Sequence, residues 1–437
     1  MKKEAELLMQ EAIVKIPPSK NATKQGVHPD TQKQKITPGG AAGGNFPGFN
    51  YFGGPVVNTP QAYTIFLGDW SSAANKKRAN RLTQFVIDMM HSDYMHILTQ
   101  YGCGTSGQVV KELFIANANH NLSDANIHAI LQNAINSLTI PEPTNHSNIY
   151  MVFLDDNTGV KGSITMCEKA SDNAFGYHNF FKTAANNFCY YSVVPGLSDA
   201  CLKNTCSNDA SCSLHLGETQ EQRQTQVTSH EFSEMISDPK LNAWFDKNSG
   251  NENGDICNGN AGTITVGPNT WTVQKMYSKL DDMTSNGAVT CITTLPSLSV
   301  VPLARYWNPG ATDHFYTTNL NELSYNNQGW GYENIQCYLF ATQRPATVPL
   351  YRYWNPGATD HFYTTNWGEL GAGAHGWTLE SIQGYVYSVH VPGTVPLYRY
   401  WNAQSADHFY TTNWAELGTG AHGWAFELVQ CYVYPGI

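Results

Sequence analysis

The residues best suited to do chemistry lie together in the segment VTSHEFSEMISDP, from Val227 to Pro239. The pattern around it predicts a helix over Gln222–Ser237, so His230 and Glu234 would stand one turn apart on the same face. An imidazole and a carboxylate at this spacing can both bind Zn²⁺. Glu231 could then accept a proton from water activated by the ion. The segment therefore predicts a metal site with His230 and Glu234 as ligands and Glu231 as the catalytic base.

This pattern is close to His-Glu-x-x-His, the zinc-peptidase signature, but Glu234 replaces the second histidine. The alternative interpretation is a solvated acidic helix face on which His230 is merely hydrogen-bonded. The following loop, GNENGDIC, adds Glu252 and Asp255. So many carboxylates would repel one another without a cation among them. We expect Asp255 as the third ligand and Glu252 next, with Zn²⁺ as the ion and Ca²⁺ as the alternative for an oxygen-rich loop.

A second candidate group lies upstream, in FGYHNF, where Tyr177 stands next to His178. Either side chain could polarise a substrate carbonyl or complete the metal site. A histidine among aromatic residues is also typical of a packed core. Both residues are therefore catalytic candidates that rank below the helix residues.

The pattern of apolar residues indicates which elements would position these groups. Continuous apolar runs predict buried strands, and three-and-four spacing predicts helices between them. The strands are expected over Ala62–Trp70, Ile149–Asp155 and Cys189–Pro195, and the helices over Arg78–Tyr101, Ser123–Leu138 and Gln222–Ser237. This alternation indicates an α/β or α+β domain over residues 46–295. Residues 1–45, with the glycine run GGAAGG, are expected to form a flexible tail or propeptide.

The last third of the chain is one β-rich unit written three times. The copies begin at Pro302, Pro349 and Pro396, so the period is 47 both times. Each copy supplies four candidate strands, and three copies of four short strands are typical of a β-trefoil, a closed pseudo-threefold barrel. A three-bladed propeller would have fewer blades than is usual. We therefore predict an all-β, β-trefoil-like module over residues 296–437.

Each repeat carries residues suited to sugar recognition, with aromatic faces for stacking and polar groups for hydroxyls. Three equivalent sites would give avidity for a glycan or cell-wall polymer. The alternative is structural, because repeated tryptophans can form a core layer and repeated Arg–Asp pairs can hold each unit together. The candidate ligand-binding residues are Arg305, Trp307, Asp313, His314, Arg352, Trp354, Asp360, His361, Arg399, Trp401, Asp407 and His408.

Composition limits the class of protein and its compartment. Charged residues are 14% and aromatic residues 12% of the chain, a balance typical of extracellular proteins. The net charge of −10 argues against nucleic acid as a partner. No apolar run approaches the roughly 18 residues of a membrane span. The ten cysteines include no Cys-x-x-Cys pair, which favours disulfides and secretion, although Met1–Ile16 lacks the apolar core of a signal peptide.

Two sets of cysteines give specific expectations. Cys257 and Cys291 bracket the GNENGDIC loop and the following WTVQKMYS segment, so we predict a disulfide between them. Cys337, Gly384 and Cys431 occupy the same position in the three repeats. We predict that all three are buried and turned inward, and separately packed thiols are favoured over a Cys337–Cys431 bond.

Three separated blocks resemble the exordium-like, or phosphate-induced, family of extracellular plant proteins and their microbial relatives. They are NYFGGPVVNTPQAYTIFLGDWS, SHEFSEMISDPKLNAWFD with ENGDIC, and WTVQKMYS, and they cover about residues 50–291. The resemblance implies an extracellular setting and a zincin-like site at His230, Glu231, Glu234, Glu252 and Asp255, without implying a particular biochemical activity. The chain departs from the plant pattern in the cysteine-rich stretch Cys189–Cys212 and in its repeats. Those repeats are similar to aromatic repeats appended to secreted microbial proteins, including hydrolases.

Three hypotheses about function follow. The first is a secreted zinc hydrolase, most simply a peptidase acting on peptide or protein, that its repeats deliver to glycan. The second is a non-catalytic glycan- or wall-binding protein with a structural metal or none. The third is a toxin or defence lectin in which the repeats are the active part. Stoichiometric zinc would favour the first.

Overall fold

The computed structural model describes residues 48–104, 106–143, 146–162, 165–167, 173–206, 217–284, 291–294, 300–323, 329–391 and 394–435. The tail expected over residues 1–45 lies outside them. The chain divides into two compact units, with the main boundary between Leu295 and Pro296. The short segments Asn50–Pro55 and Thr99–Gly102 belong to the second unit. Strands make up 40% of the described residues and helices 22%, so the mixed class is confirmed.

Among the described residues before 295, the elements are short strands and six helices of very different length. The described strands are β1 (Phe49–Tyr51), β2 (Gln61–Leu67), β3 (Gln108–Ile115), β4 (Asn121–Leu122), β5 (Asn148–Leu154), β6 (Gly159–Val160), β7 (Thr165–Met166), β8 (Asn173–Ala174), β9 (Tyr177–Lys182), β10 (Phe188–Val194), β11 (Trp244–Asp246), β12 (Ala261–Val266), β13 (Asn269–Gln274), β14 (Met276–Tyr277) and β15 (Cys291–Ile292). The helices are α1 (Ala73–Met90), α2 (Tyr94–Leu98), α3 (Asp124–Asn136), α4 (Asp199–Cys206), α5 (Gln220–Ser237) and α6 (Lys279–Thr284), with 3₁₀ turns at Thr99–Tyr101 and Asp255–Cys257.

The first unit is built on a five-stranded sheet in the order β3-β2-β5-β10-β9. Its first four strands are parallel, whereas β9 runs antiparallel to β10 at the edge. The central strands β2, β5 and β10 are buried along six of seven residues, as parallel strands covered on both faces must be. Helix α3 packs its apolar residues on one face. Helices α1 and α5 lie on the other, where Thr64 of β2 contacts Thr83 of α1.

Local signals set the ends of the two long helices. Thr219 caps α5 and forms a capping box with Gln222, and the helix ends just before Asp238-Pro239. The single helix predicted over Arg78–Tyr101 is wrong, because α1 ends at Met90. There Ser92 donates its hydroxyl to the carbonyl of Met89 and accepts the amide of Tyr94, which starts a new short helix.

Each repeat of the second unit is a three-stranded antiparallel sheet with its first strand in the centre. The third and fourth predicted strands are one continuous strand, whose pairing with the central strand shifts register twice. The strands are β16 (Val300–Asn308), β17 (Asp313–Thr317), β18 (Gly331–Phe340), β19 (Thr347–Asn355), β20 (Asp360–Thr364), β21 (Thr378–Tyr387), β22 (Val395–Asn402), β23 (Asp407–Thr411) and β24 (Ala425–Pro435), with the one-turn helices α7 (Trp367–Leu370) and α8 (Trp414–Leu417). Strands β18, β21 and β24 pair with one another at their ends, which closes a pseudo-threefold arrangement.

A ring of three tyrosines ties the repeats together. The hydroxyl of Tyr363 accepts the backbone amide of Tyr316 at 2.6 Å and donates to its carbonyl at 2.7 Å. Tyr410 contacts Tyr363 in the same way, and Tyr316 contacts Tyr410. Because all three are buried, these six hydrogen bonds replace water at the centre of the unit.

The cysteine predictions are confirmed where the described residues test them. Cys257 and Cys291 form a disulfide, and a second one joins Cys167 to Cys201. Cys337 and Cys431 are buried free thiols in the core of the repeat unit, and the equivalent Gly384 is buried as well. The favoured interpretation, separate packing of the two thiols, therefore holds. Part of the cysteine-rich stretch, including Cys212, lies outside the described residues.

Among the described residues, no helix has the length and apolar character needed to cross a membrane.

Candidate functional site

Three elements of the first unit bring the predicted site residues together. Helix α5 supplies His230, Glu231 and Glu234, all of them buried. Edge strand β9 supplies His178, which pairs with Ser192 of β10 in the sheet register. The loop after β11 supplies the carboxylates of the GNENGDIC segment. The site thus lies where the antiparallel edge of the sheet meets the helix that covers it.

The first group of ligand atoms comes from His230, Glu234 and Asp255. Nε2 of His230 lies 3.1 Å from Oε2 of Glu234 and 3.7 Å from Oδ1 of Asp255. The three ligand atoms all fall within 4.8 Å of one another. The amide of Asp255 donates to Oε1 of Glu234 at 3.0 Å, which fixes the loop against the helix.

Gly254 allows this close approach. A Cβ at this position would lie 2.7 Å from Oε1 of Glu234 and 3.0 Å from Nδ1 of His230. Any larger residue would therefore push into both predicted ligands.

His178 completes a second, overlapping group. Its Nδ1 lies 3.6 Å from Oε2 of Glu234 and 3.7 Å from Oε2 of Glu231, and its Nε2 lies 3.6 Å from Oε1 of Glu252. The structure therefore places His178 and Glu252 in the same cluster as the three helix residues. Glu252 faces His178, whereas Asp255 faces His230.

Several buried atoms of this cluster are unsatisfied. Within the described part of the chain, Nε2 of His178, Oε2 of Glu231, Oε2 of Glu234 and Oε1 of Glu252 have no hydrogen-bond partner. These atoms lie within ion-pair distance of one another, so the cluster is held by charge and not by hydrogen bonds at these atoms. Buried polar atoms without hydrogen bonds are rare, and such atoms are free to act as ligands.

Without a bound ion, the charges of the cluster shift the pKa values of its members. Burial disfavours the charged imidazole of His230, but Glu234 outweighs that effect and raises the pKa of His230 to about 10. Burial likewise opposes the charge on Glu234, yet His230 and His178 lower its pKa to about 2. Burial and the charge of Glu234 raise the pKa of Asp255 to about 7. The carboxylates thus hold protons on both histidines, so protons supply the positive charge in a site without an ion.

Tyr177 is not part of this cluster. Its hydroxyl donates to Oδ1 of Asp124 at 2.9 Å, and its ring belongs to the core between the sheet and α3. Neighbouring residues of a strand point to opposite faces, so Tyr177 and His178 cannot both reach the cluster. The catalytic role considered for Tyr177 is therefore corrected to a structural one.

The sequence interpretation missed Asp238, a buried residue at the end of α5. Its Oδ1 accepts the amides of Asn242 and Ala243, each at 2.6 Å, and its Oδ2 is unsatisfied. Burial raises its pKa to about 7, with His178 and Glu234 close enough to contribute. Asp238 follows Glu234 by four residues, as Glu234 follows His230. This spacing could have indicated that Asp238 lies near the same site.

The repeat arginines lie in contacts between repeats. Each is buried, donates to a glutamate of its own repeat and to a glutamate of another, and lies over a phenylalanine ring of that other repeat. The pairs are Arg305 with Glu333 and Glu416, Arg352 with Glu380 and Glu322, and Arg399 with Glu427 and Glu369. These contacts favour the structural interpretation of the arginines.

The repeat aspartates and histidines form a second set of contacts between repeats. Asp313, Asp360 and Asp407, here called the axial carboxylates, are fully buried, with oxygens within 4.8 Å of one another. Each accepts the backbone amide and Nδ1 of a histidine from another repeat, namely His361, His408 and His314 respectively. Trp307, Trp354 and Trp401 are half-buried against the histidines of their own repeats. The donors and acceptors expected to meet sugar hydroxyls are therefore already used.

The repeats match a family model described as a domain of unknown function, DUF5648, over residues 302–434. No curated protein and no solved structure matches the chain. The match covers all three repeats and gives no function.

Proposed function

We propose that the protein is a secreted zinc-dependent hydrolase, most simply a peptidase, whose repeat module binds glycan. The observation that carries the proposal is the buried cluster in which atoms of His178, Glu231, Glu234 and Glu252 lack partners. A divalent cation would bind these free atoms directly and replace the protons on the two histidines as the source of positive charge. The buried histidines and carboxylates are the donor types that Zn²⁺ takes.

The spacing of the ligand atoms supports zinc. A tetrahedral ion with bonds of about 2.0–2.1 Å holds its ligands roughly 3.3–3.4 Å apart. The separations of 3.1 and 3.7 Å around Nε2 of His230 fall on either side of that value. Ca²⁺, the alternative ion, takes oxygen ligands, and the two imidazoles in this cluster argue against it.

His230, Glu234 and Asp255 would hold the ion, a three-ligand set that leaves one tetrahedral position for water or substrate. A bound zinc would polarise a carbonyl and lower the pKa of water. Glu231 would accept the proton at Oε2, which has no hydrogen bond in the described structure. His178 lies between Glu231 and Glu252 and would orient the carboxylate of Glu231. It would also donate toward the negative charge that develops on the substrate oxygen.

Burial favours a second candidate, a closed structural metal site in a non-catalytic wall-binding protein. Glu234 is 0% exposed, His178 5% and His230 8%, which leaves little access for a substrate. Structural zinc sites are closed in this way, whereas catalytic sites keep an open position. The two candidates predict the same zinc content and differ in the role of Glu231.

The finer classification is part of the same proposal. A mostly parallel sheet, an antiparallel edge strand carrying His178 and a covering helix with the ligands support the zincin-like, exordium-like assignment of the first unit. Pseudo-threefold closure supports the β-trefoil-like assignment of the second, although each repeat has three strands where four were expected. The two disulfides are compatible with export.

The test is zinc content by elemental analysis, together with hydrolysis of fluorescently labelled casein by the full chain. We expect one zinc per chain in the wild type. Glu231→Gln should keep the zinc and lose about 100-fold or more in rate, because it removes the base alone. His230→Ala should lose both. Glu221→Gln is the matched control, since Glu221 lies in the first turn of the same helix and pairs with Arg81.

Full activity in the Glu231→Gln variant would refute the catalytic assignment. Stoichiometric zinc with no hydrolysis by the wild type would favour the closed structural site. A wild type that binds no zinc would reject both candidates.

A further inference from the structure

The tryptophans that begin α7 and α8 stand apart from the other repeat aromatics. Trp367 is 47% exposed and Trp414 41% exposed, whereas the predicted ligand residues of the repeats are mostly buried. Each packs at a tilt against a half-buried tyrosine of its own repeat. The ring centroids are 5.0 Å apart for Tyr351 and 4.8 Å apart for Tyr398, with interplanar angles of 55° and 58°. We call each Tyr–Trp pair a platform.

Both platforms are held rigidly by the protein. Asn366 caps α7 by accepting the amide of Gly368, and the hydroxyl of Tyr353 donates to the carbonyl of Gly371 after the helix. Glu369 in the same turn pairs with Arg399 of the third repeat.

The turn after Asn413 is built alike. The side chain of Asn413 accepts the backbone amide of Ala415, and the hydroxyl of Tyr400 donates to the carbonyl of Gly418. Glu416 forms an ion pair with Arg305 of the first repeat. Tyrosine and tryptophan are enriched at binding interfaces, because each combines a large apolar ring with a polar group.

The first repeat has no platform, so its equivalent residues show which side chains the fold accepts at these positions. Forty-seven residues before Tyr351 and Trp367 stand Ala304 and Leu320, which are 0% and 2% exposed. In this repeat the unit's own segment Thr99–Tyr101 packs against β16. A small and an aliphatic residue are thus buried at these positions of the first repeat, whereas each of the other two repeats carries an aromatic pair with an exposed tryptophan.

The chemistry of the platforms limits what they bind. Tyrosine and tryptophan are uncharged at neutral pH, and the nearby carboxylate of Glu369 is already bound to Arg399 and Thr364. The chain carries a net charge of −10, which disfavours anionic polymers. Flat aromatic faces stack on the apolar face of a sugar ring, and the tyrosine hydroxyl can exchange hydrogen bonds with sugar hydroxyls.

We propose that Tyr351–Trp367 and Tyr398–Trp414 are two equivalent stacking sites for the pyranose rings of an uncharged polysaccharide. This rests on the glycan-binding part of the proposed function and moves the binding surface from the buried Arg, Asp and His residues to these platforms. One chain would engage one polymer through both sites, so avidity would strengthen weak single contacts. The first repeat would serve as the structural member of the three.

The test is binding of the full chain to insoluble cellulose and to chitin, two uncharged β-1,4-linked pyranose polymers, measured by depletion from solution. Trp367→Ala and Trp414→Ala should each weaken binding about tenfold, and the double variant should lose it. Trp→Phe at either site should retain part of the affinity, because a smaller ring still stacks. Val389→Ala is the matched control, since Val389 is 62% exposed in the same unit but on no platform.

All variants should keep the wild-type unfolding midpoint, because the exposed rings contribute little to the core. Binding should be unchanged in EDTA, which separates this proposal from the zinc centre. A double variant that binds both polymers as the wild type does would overturn it. So would a wild type that binds neither polymer, or a double variant whose only change is the loss of self-association.

Discussion

Replacing Tyr363 with phenylalanine removes one hydroxyl from the ring of Tyr316, Tyr363 and Tyr410. That hydroxyl accepts the amide of Tyr316 at 2.6 Å and donates to its carbonyl at 2.7 Å. Tyr316 is 1% exposed, so water cannot replace either partner without opening the unit. The variant therefore leaves a buried amide unpaired, and the carbonyl keeps only a long contact of 3.5 Å from Arg352.

The expected loss of stability follows from these two groups. A buried donor or acceptor left without a partner costs about 1–3 kcal/mol. The amide loses its partner fully and the carbonyl in part, so the free energy of unfolding of the repeat unit should fall by about 2–4 kcal/mol. The pseudo-threefold arrangement makes the prediction stricter, because Tyr316→Phe and Tyr410→Phe should cost similar amounts.

Urea unfolding followed by tryptophan fluorescence is the assay. Eight of the eleven tryptophans lie between Trp307 and Trp424, so the signal reports mainly on the repeat unit. Tyr353→Phe is the matched control, because it removes a single hydrogen bond to Gly371 and should cost about 1 kcal/mol. A ring variant that loses no more than this control, or three ring variants that differ widely, would refute the reasoning.

The other predictions concern the disulfide, the metal centre and pH. Cys257→Ser should lower the free energy of unfolding by about 3–4 kcal/mol, because the disulfide closes a span of 34 residues. Melts of the wild type and the variant, each with and without reductant, would measure this loss. Gly254→Ala should abolish zinc binding, since its Cβ would lie 2.7 Å from Oε1 of Glu234, and elemental analysis would reveal retained zinc. Burial raises the pKa of Asp360 to about 8, and the other two axial carboxylates contribute. Near neutral pH the folded protein therefore holds a proton on Asp360 that the unfolded chain releases. Stability of the repeat unit should therefore fall by about 2 kcal/mol from roughly pH 6.5 to 8, while below that range the pKa of His408, which burial lowers to about 4, offsets the effect. Urea melts at several pH values would check this, and Asp360→Asn should reduce the slope, while burial also raises the pKa of Asp407.

The sequence was informative where the decisive geometry is local. The four-residue spacing of His230 and Glu234 places both on one helix face whatever surrounds the helix, and the structure finds them 3.1 Å apart at their ligand atoms. The loop that brings Asp255 back to His230 is short and follows soon after the helix. The 47-residue period likewise required three equivalent units, each buried at its cysteine or glycine position.

Tertiary structure decided what depends on contacts between distant segments. His178 lies in the cluster around Glu234 and Tyr177 does not, because β9 pairs at the sheet edge and that pairing fixes which face each residue takes. In the sequence, the repeated arginines, aspartates and histidines look like ligand-binding groups. In the fold, each forms an ion pair or hydrogen bond with a residue of another repeat.

The tryptophans show the same limit most directly. The repeated sequence makes them look alike, but only the folded unit determines that Trp367 and Trp414 remain in water while others are packed against histidines. Local spacing follows from backbone geometry and can be read along the chain. Exposure depends on which remote segment arrives to cover a surface, and that is settled only when the whole unit closes.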